Sequence, residues 1–133
     1  MQEELEGMKL SLGANKRLKS QKSIERLFES GNRLHKYPIR AVFQFTEDAT
    51  SEFQIAVSVP KKLVKKATNR NLIKRRMREA FRLNQAQLKI SKKMEVMFIF
   101  STKDLEEYAV IEKAIRVLID SLNSLSNDNN EGK

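Results

Sequence analysis

Two strand-like runs with one amphipathic helix between them constrain the folding of this chain more than any other feature. Phe53–Val59 reads as a strand and stops at Pro60, which cannot donate to a ladder. Met94–Phe100 is a near-continuous apolar strand, and a helical period runs from about Asn69 to Asn84 between them. Strand, helix and strand in succession make a βαβ unit whose outer strands are expected to be parallel in one sheet. At 100° per residue, Ile73, Met77, Ala80 and Phe81 share one arc of about 100°. Asn71, Lys74, Arg75, Arg78 and Arg82 share the next arc, while Leu72, Glu79 and Leu83 form the back beside Arg76. Thr68 or Asn69 is placed to cap this helix.

The remaining elements are shorter. Lys16-Arg17-Leu18-Lys19 introduces a first helix with Ser20 as N-cap, Ile24, Leu27 and Phe28 on one face, and Gly31 as the stop. A turn containing Pro38 follows, and Ile39–Phe45 then alternates. The polar stretch Thr46–Glu52 suits a hairpin to the next strand. A last helix is expected from about Asp104 to Asn123, with Tyr108, Ile111, Ile115, Leu118 and Leu122 apolar. The expected domain plan is a loose leader over 1–15, one α+β domain over 16–123, and a disordered tail over 124–133.

The absence of Cys rules out disulfides, a Cys-ligated zinc and a thiol nucleophile. With His35 as the lone histidine, a His-based metal cluster is also excluded, and His35 reads as a turn residue. Val96–Phe100, the longest apolar run, is too short to cross a bilayer, and Met1-Gln2-Glu3-Glu4 lacks a signal-peptide layout. A reducing cytoplasm is therefore the expected compartment.

The chain's formal net charge is +9. From Lys61 to Arg82 ten residues are basic and only Glu79 is acidic, so this stretch carries the whole excess while the remainder balances. Like charges four apart, such as Arg70/Lys74 and Lys74/Arg78, destabilise an isolated helix by a few tenths of a kcal/mol each (about 0.2–0.5). A polyanion would relieve that repulsion, whereas a solvated helix face normally mixes signs. A membrane-surface helix would need its apolar arc free, but the flanking strands require that arc for the core.

The run Lys61-Lys62-Leu63-Val64-Lys65-Lys66-Ala67-Thr68-Asn69-Arg70-Asn71-Leu72-Ile73-Lys74-Arg75-Arg76-Met77-Arg78-Glu79 resembles the signature of the bacterial ribonuclease P protein subunit. Arg70, Asn71, Lys74, Arg75, Arg78 and Glu79 match an Arg-Asn-Arg-x-Lys-Arg-x-x-Arg-Glu pattern position by position. The likeness extends from Lys16-Arg17-Leu18 through Phe28, Gly31 and Ala56–Val59 to the last helix. Leu72 replaces the third member of the signature, and Ile24 stands where the family often has an aromatic.

The resemblance implies a ribosomal-protein-like α+β fold: a small mixed four-stranded sheet, about three helices, and a left-handed βαβ crossover, against the general rule. It implies that a partner RNA performs the hydrolysis, with magnesium ions (Mg) held by that RNA and the substrate, and that the protein holds the 5′ leader of precursor tRNA. A monomeric protein in a 1:1 ribonucleoprotein is expected. The catalytic-RNA contacts expected are Lys61, Lys62, Lys65, Lys66, Arg70, Asn71, Lys74, Arg75 and Arg78. For the leader they are Arg17, Lys19, Phe28, Phe43, Phe45 and Ser58, since single-stranded RNA is often stacked on aromatics over a sheet.

Three other functions compete. A ribosomal or ribosome-assembly protein would share the charge but not the motif order. A DNA reader would normally need a second helix packed before the recognition helix, where here a strand precedes it. A protein-only nuclease would need an acid cluster for metal, and no motif pairs two carboxylates.

Overall fold

The computed structural model describes residues 21–45, 53–89 and 93–129. Its elements are α1 (Gln21–Ser30), β1 (Asn32–Lys36), β2 (Ile39–Phe45), β3 (Phe53–Ser58), α2 (Ala67–Asn84), a 3-10 turn (Gln85–Gln87), β4 (Met94–Phe100) and α3 (Tyr108–Asn129). The four strands form one sheet in the order β1-β2-β4-β3. β2 is antiparallel to β1 and β4, while β3 and β4 run parallel, as the βαβ pattern requires.

The order corrects one expectation. β2 and β3 are not hairpin partners, because β4 lies between them. β4 is the most apolar strand, and a central position covers both its edges as well as both its faces. The hairpin is instead β1–β2, turning at Tyr37–Pro38. β1 occupies part of the region read as a turn, and His35 is a strand residue; with a single half-buried side chain, Leu34, this edge strand has no apolar alternation to reveal it.

Two layers flank the sheet. On one side α2 contributes Ile73, Met77, Ala80 and Phe81, all fully buried as the helical period predicts. They meet Phe53, Val96, Phe98 and Phe100 from the sheet and Ile111, Ile115 and Leu118 from α3. Phe81 sits 5.4 Å from Phe53 and 5.7 Å from Phe98 between ring centroids, so it bridges β3 and β4. On the other side α1 buries Leu27 against Val42 and Met97, with Ile24 partly covered.

Gly31 terminates α1 because nothing larger fits. A Cβ there would lie 2.5 Å from the Leu27 carbonyl oxygen and 3.0 Å from Val42 Cγ1. The Gly31 N–H donates to that same carbonyl at 2.8 Å. α3 runs to Asn129, so Ser124–Asn129 is helical rather than part of a disordered tail. Leu122, Leu125 and Ser126 keep the i, i+3, i+4 spacing, and Ser126 is fully buried. Its start at Tyr108 is later than expected, since Thr102–Glu107 forms a loop. The expected Ser20 cap, the 1–15 leader and residues 130–133 lie outside the described residues.

Candidate nucleic-acid interface

The loop after β3 projects four lysines. Pro60 closes a tight turn by accepting from Leu63 and Val64 N–H at 3.1 Å each, and Val64 is buried. Anchoring the apolar pair leaves Lys61, Lys62, Lys65 and Lys66 exposed. α2 begins directly after Lys66, which is its N-cap and offers no side-chain cap; Thr68 and Asn69 lie inside the helix and do not cap it. Its first turn holds no acid, so the helix dipole and the lysines add at one place.

Along α2 the structure divides the cations by role. Asn71 and Arg75 are exposed, while Lys74 and Arg78 are half-buried. Arg70 is turned inward instead: its Nη1 donates to the Val64 and Lys65 carbonyls at 3.0 and 2.9 Å. It pins the lysine loop onto the helix, a role for which charge counting offers no signal. Arg76 likewise donates to the Glu106 carbonyl at 2.6 Å and ties α2 to the loop before α3. Arg82 leaves the cationic arc altogether. It is 5% exposed and forms a two-pronged pair with Glu79, whose carboxylate holds its pKa above the ordinary arginine value despite burial. Leu72 is half-buried on the back of the helix.

The opposite sheet face carries the second group of candidates. Phe28 on α1 is 44% exposed, and half-buried Ser58 lies on this face of β3. Phe43 does not belong here: it is 2% exposed in the core beneath α2 and α3, and Phe45 packs edge-on to it at 5.8 Å on the same side. The residues of β2 that do face α1 are Arg40, Val42 and Gln44, the other half of the alternation. Arg17 and Lys19 lie outside the described residues.

Behind α1, Glu95 is 2% exposed and accepts from Arg26 Nη2 at 3.2 and 3.5 Å and from Gln44 Nε2 at 3.3 Å. Sequence reasoning missed this anchor; a lone acid in the apolar run of β4 was its only signal. Among the described residues no group of three or more His, Cys, Asp or Glu is placed to hold a metal ion. Nor is any helix among them long and apolar enough to cross a membrane.

A mixed sheet with a cationic loop and helix on one flank and an aromatic-edged open face on the other defines a small nucleic-acid-binding protein of the α+β class. The family profile described as Ribonuclease P matches residues 12–123, and the chain belongs to that family. A protein of Porphyromonas gingivalis named ribonuclease P protein component is 29% identical over 111 residues, spanning 79% of this chain and 81% of that one. In fold, the chain is similar to the Staphylococcus aureus RNase P protein, with a TM-score of 0.68 at 20% identity, covering 81% of this chain and 97% of that one. It is also similar to the Thermotoga maritima RNase P protein, with a TM-score of 0.65 at 23% identity, covering 77% and 94%.

Proposed function

We propose that this chain is the protein subunit of a bacterial ribonuclease P, acting in the cytoplasm as a monomer in a 1:1 particle with a catalytic RNA. The observation that carries this is the cationic surface of Lys61, Lys62, Lys65, Lys66, Lys74, Arg75 and Arg78, joined to a family match over most of the chain. Arginine can fork onto a phosphate and lysine offers a mobile point charge, so a loop of lysines beside a helix of arginines suits an irregular RNA backbone. Arg70 serves this surface by fixing the loop to α2 rather than by facing the RNA alone. The open face with Phe28 and Ser58 holds the 5′ leader of precursor tRNA.

Hydrolysis falls to the RNA, with magnesium held by that RNA and the substrate. The protein's contribution is to bind, neutralise and position. A ribosomal or ribosome-assembly role gains no observation that the ribonuclease P reading lacks.

The test is reconstitution with a bacterial ribonuclease P RNA and precursor tRNA at low magnesium. The expected result is 5′ leader release that depends on both components. Absence of stimulation overturns the reading, and cleavage by the protein alone makes it a nuclease. Lys74→Ala or Arg75→Ala should weaken RNA binding without unfolding the chain. If about six basic groups meet phosphates, log K falls with log salt at a slope of about −4 to −5. A salt-independent complex would remove this surface from the interface.

A further inference from the structure

The sheet ends in β1, whose outer N–H and C=O groups have no ladder partner among the described residues. Such an edge invites another strand unless something covers it. Cross-strand pairs show which way its side chains point. Leu34 pairs with Ala41 and Lys36 with Ile39, both in the main core, so Leu34 and Lys36 lie on the α3 side.

Between this edge and α3 runs an open groove of about 400 Å³, a size usual for a binding site (about 300–1,000 Å³). Leu34, Val117 and Leu125 give it an apolar lining, beside Asp120, Ser121 and Ser124. Val110 and Val117, two turns apart on this flank, are 37% and 38% exposed. The Tyr37 hydroxyl donates to Glu106 Oε2 at 2.7 Å, so α3 starts at the Lys36 end of β1 and runs antiparallel to it. From Val117 to Leu125 the helix advances about 12 Å, at 1.5 Å per residue.

The chain itself supplies a segment of matching length and chemistry. Met8, Leu10 and Leu12 alternate with Lys9 and Ser11, between Gly7 and Gly13. As a strand, the three apolar residues share one face and span about 14 Å, at about 3.4 Å per residue. Set antiparallel to β1, Met8 falls by Val117 and Leu12 by Leu125. Glu3, Glu4 and Glu6 then approach Lys36 and Lys113, which are exposed and have no ion-pair partner among the described residues. A parallel strand would carry those acids to the end nearer Asp120. The connection also reaches: Gly31 joins α1 to β1, and the ten residues of α1 put its start about 15 Å from the start of β1. Residues 13–20 can span about 26–29 Å.

We infer that residues 8–12 dock in this groove as a fifth strand, antiparallel to β1, and close the free edge of the sheet. Their backbone completes the ladder and their apolar face covers Leu34, Val117 and Leu125. The family match spans residues 12–123, so both most of this segment and the groove's Ser124 and Leu125 lie outside it. The docked strand is an addition to the shared fold, on a side away from the lysine loop and from α1.

The chain has no cysteine, so introduced thiol pairs report the contact without background. In the full-length chain, two double variants test it under mild oxidation: Met8→Cys with Val117→Cys, and Leu12→Cys with Ser124→Cys. Each should give an intramolecular disulfide in about tenfold higher yield than Leu12→Cys with Leu83→Cys, a comparably exposed site on α2. Val117→Glu, at an exposed position that leaves the core intact, should abolish the Leu12–Ser124 bridge. Leu10→Glu should speed amide exchange in Asn32–Lys36 about tenfold while α2 keeps its protection. Yields no higher than the control, or bridges only in the swapped pairs (Met8 with Ser124, Leu12 with Val117), would overturn the inference. So would unchanged exchange in β1. Disulfide-linked dimers in place of intramolecular bridges would give the groove to a second copy of the chain and overturn it as well. None of these readouts needs RNA, so they stand whether or not the ribonuclease P reading holds.

Discussion

Behind the sheet, α2 and α3 close a core around Ile73, Phe81, Phe98 and Ile115, none of them accessible to solvent; in front of it, α1 buries Leu27 on Val42 and Met97 and leaves Phe28 exposed. The back is two helices deep and the front one short helix wide. Hydrophobic burial scales with apolar area removed from water, so the back supplies most of the stability. The front can then remain open without unfolding the domain. The two faces also differ in charge: the back's helix α2 commits Arg70, Arg76 and Arg82 to internal bonds, while Arg40 in front has no partner among the described residues.

Substitutions on the two faces test that division directly. Phe98→Ala should cost about 4 kcal/mol in denaturant unfolding, because the ring lies against Phe81 at the centre of the thick core and leaves a large cavity. Domains of this kind have about 5–15 kcal/mol in total, so RNA binding should fall with the fold. Leu27→Ala, equally buried, should cost only about 2 kcal/mol, since α1 can settle onto the sheet. Its main effect should be on leader-containing substrate, with catalytic-RNA affinity retained. Equal destabilisation by the two substitutions would break the comparison.

Glu95→Gln sharpens it. The carboxylate is buried but Arg26 is 43% exposed, so screening keeps the pair modest. The expected destabilisation is about 1 kcal/mol, read as a shift in urea midpoint, with Gln44 still able to bond the new amide. Because Arg26 sits on α1, the same change should loosen α1 before the main core. Hydrogen exchange would then show faster exchange in Gln21–Ser30 and unchanged protection in α2. Uniform loosening would mean that the pair stabilises the whole domain.

What the sequence made legible follows the strength of periodic burial. α2's core arc, the β4 strand and the lysine loop are readable because each repeats one chemical signal over many residues. β1 is not, since its burial is nearly uniform and low. The placement of β4 between β2 and β3 is a non-local choice that no local pattern encodes. In β2, Ala41, Val42 and Phe43 are all buried, so alternation separates two faces without saying which is open; hence Phe43 and Phe45 lie on the side opposite the one expected. By angle Arg82 falls on the cationic arc and Arg70 between Met77 and Phe81, yet the groups they bond (Glu79 and the loop carbonyls) are visible only once the chain has closed around them.

The smallest expected effect tests the back face at the joint of α2 and α3. Tyr108 Oη is buried without a hydrogen-bond partner among the described residues, a polar group whose desolvation nothing offsets. Tyr108→Phe should therefore stabilise the domain, by at most about 1 kcal/mol. Burial raises the Tyr108 pKa above its ordinary value, Glu112 and Glu79 push it further, and Arg82 opposes them. A phenol with a raised folded-state pKa holds its proton more tightly in the folded chain than in the unfolded one. Its contribution is thus complete below about pH 10 and is lost as pH rises through the folded-state pKa. The wild type should lose stability more steeply than the Phe variant above that pH, so the gap between their unfolding midpoints widens. Tyr37, whose pKa is also raised against the opposing Thr102 hydroxyl by Glu106, is common to both proteins and cancels in the difference. A Phe variant less stable than wild type at neutral pH would mean that the hydroxyl has a partner after all, and that the thick face is bound at this joint by a polar contact rather than by packing alone.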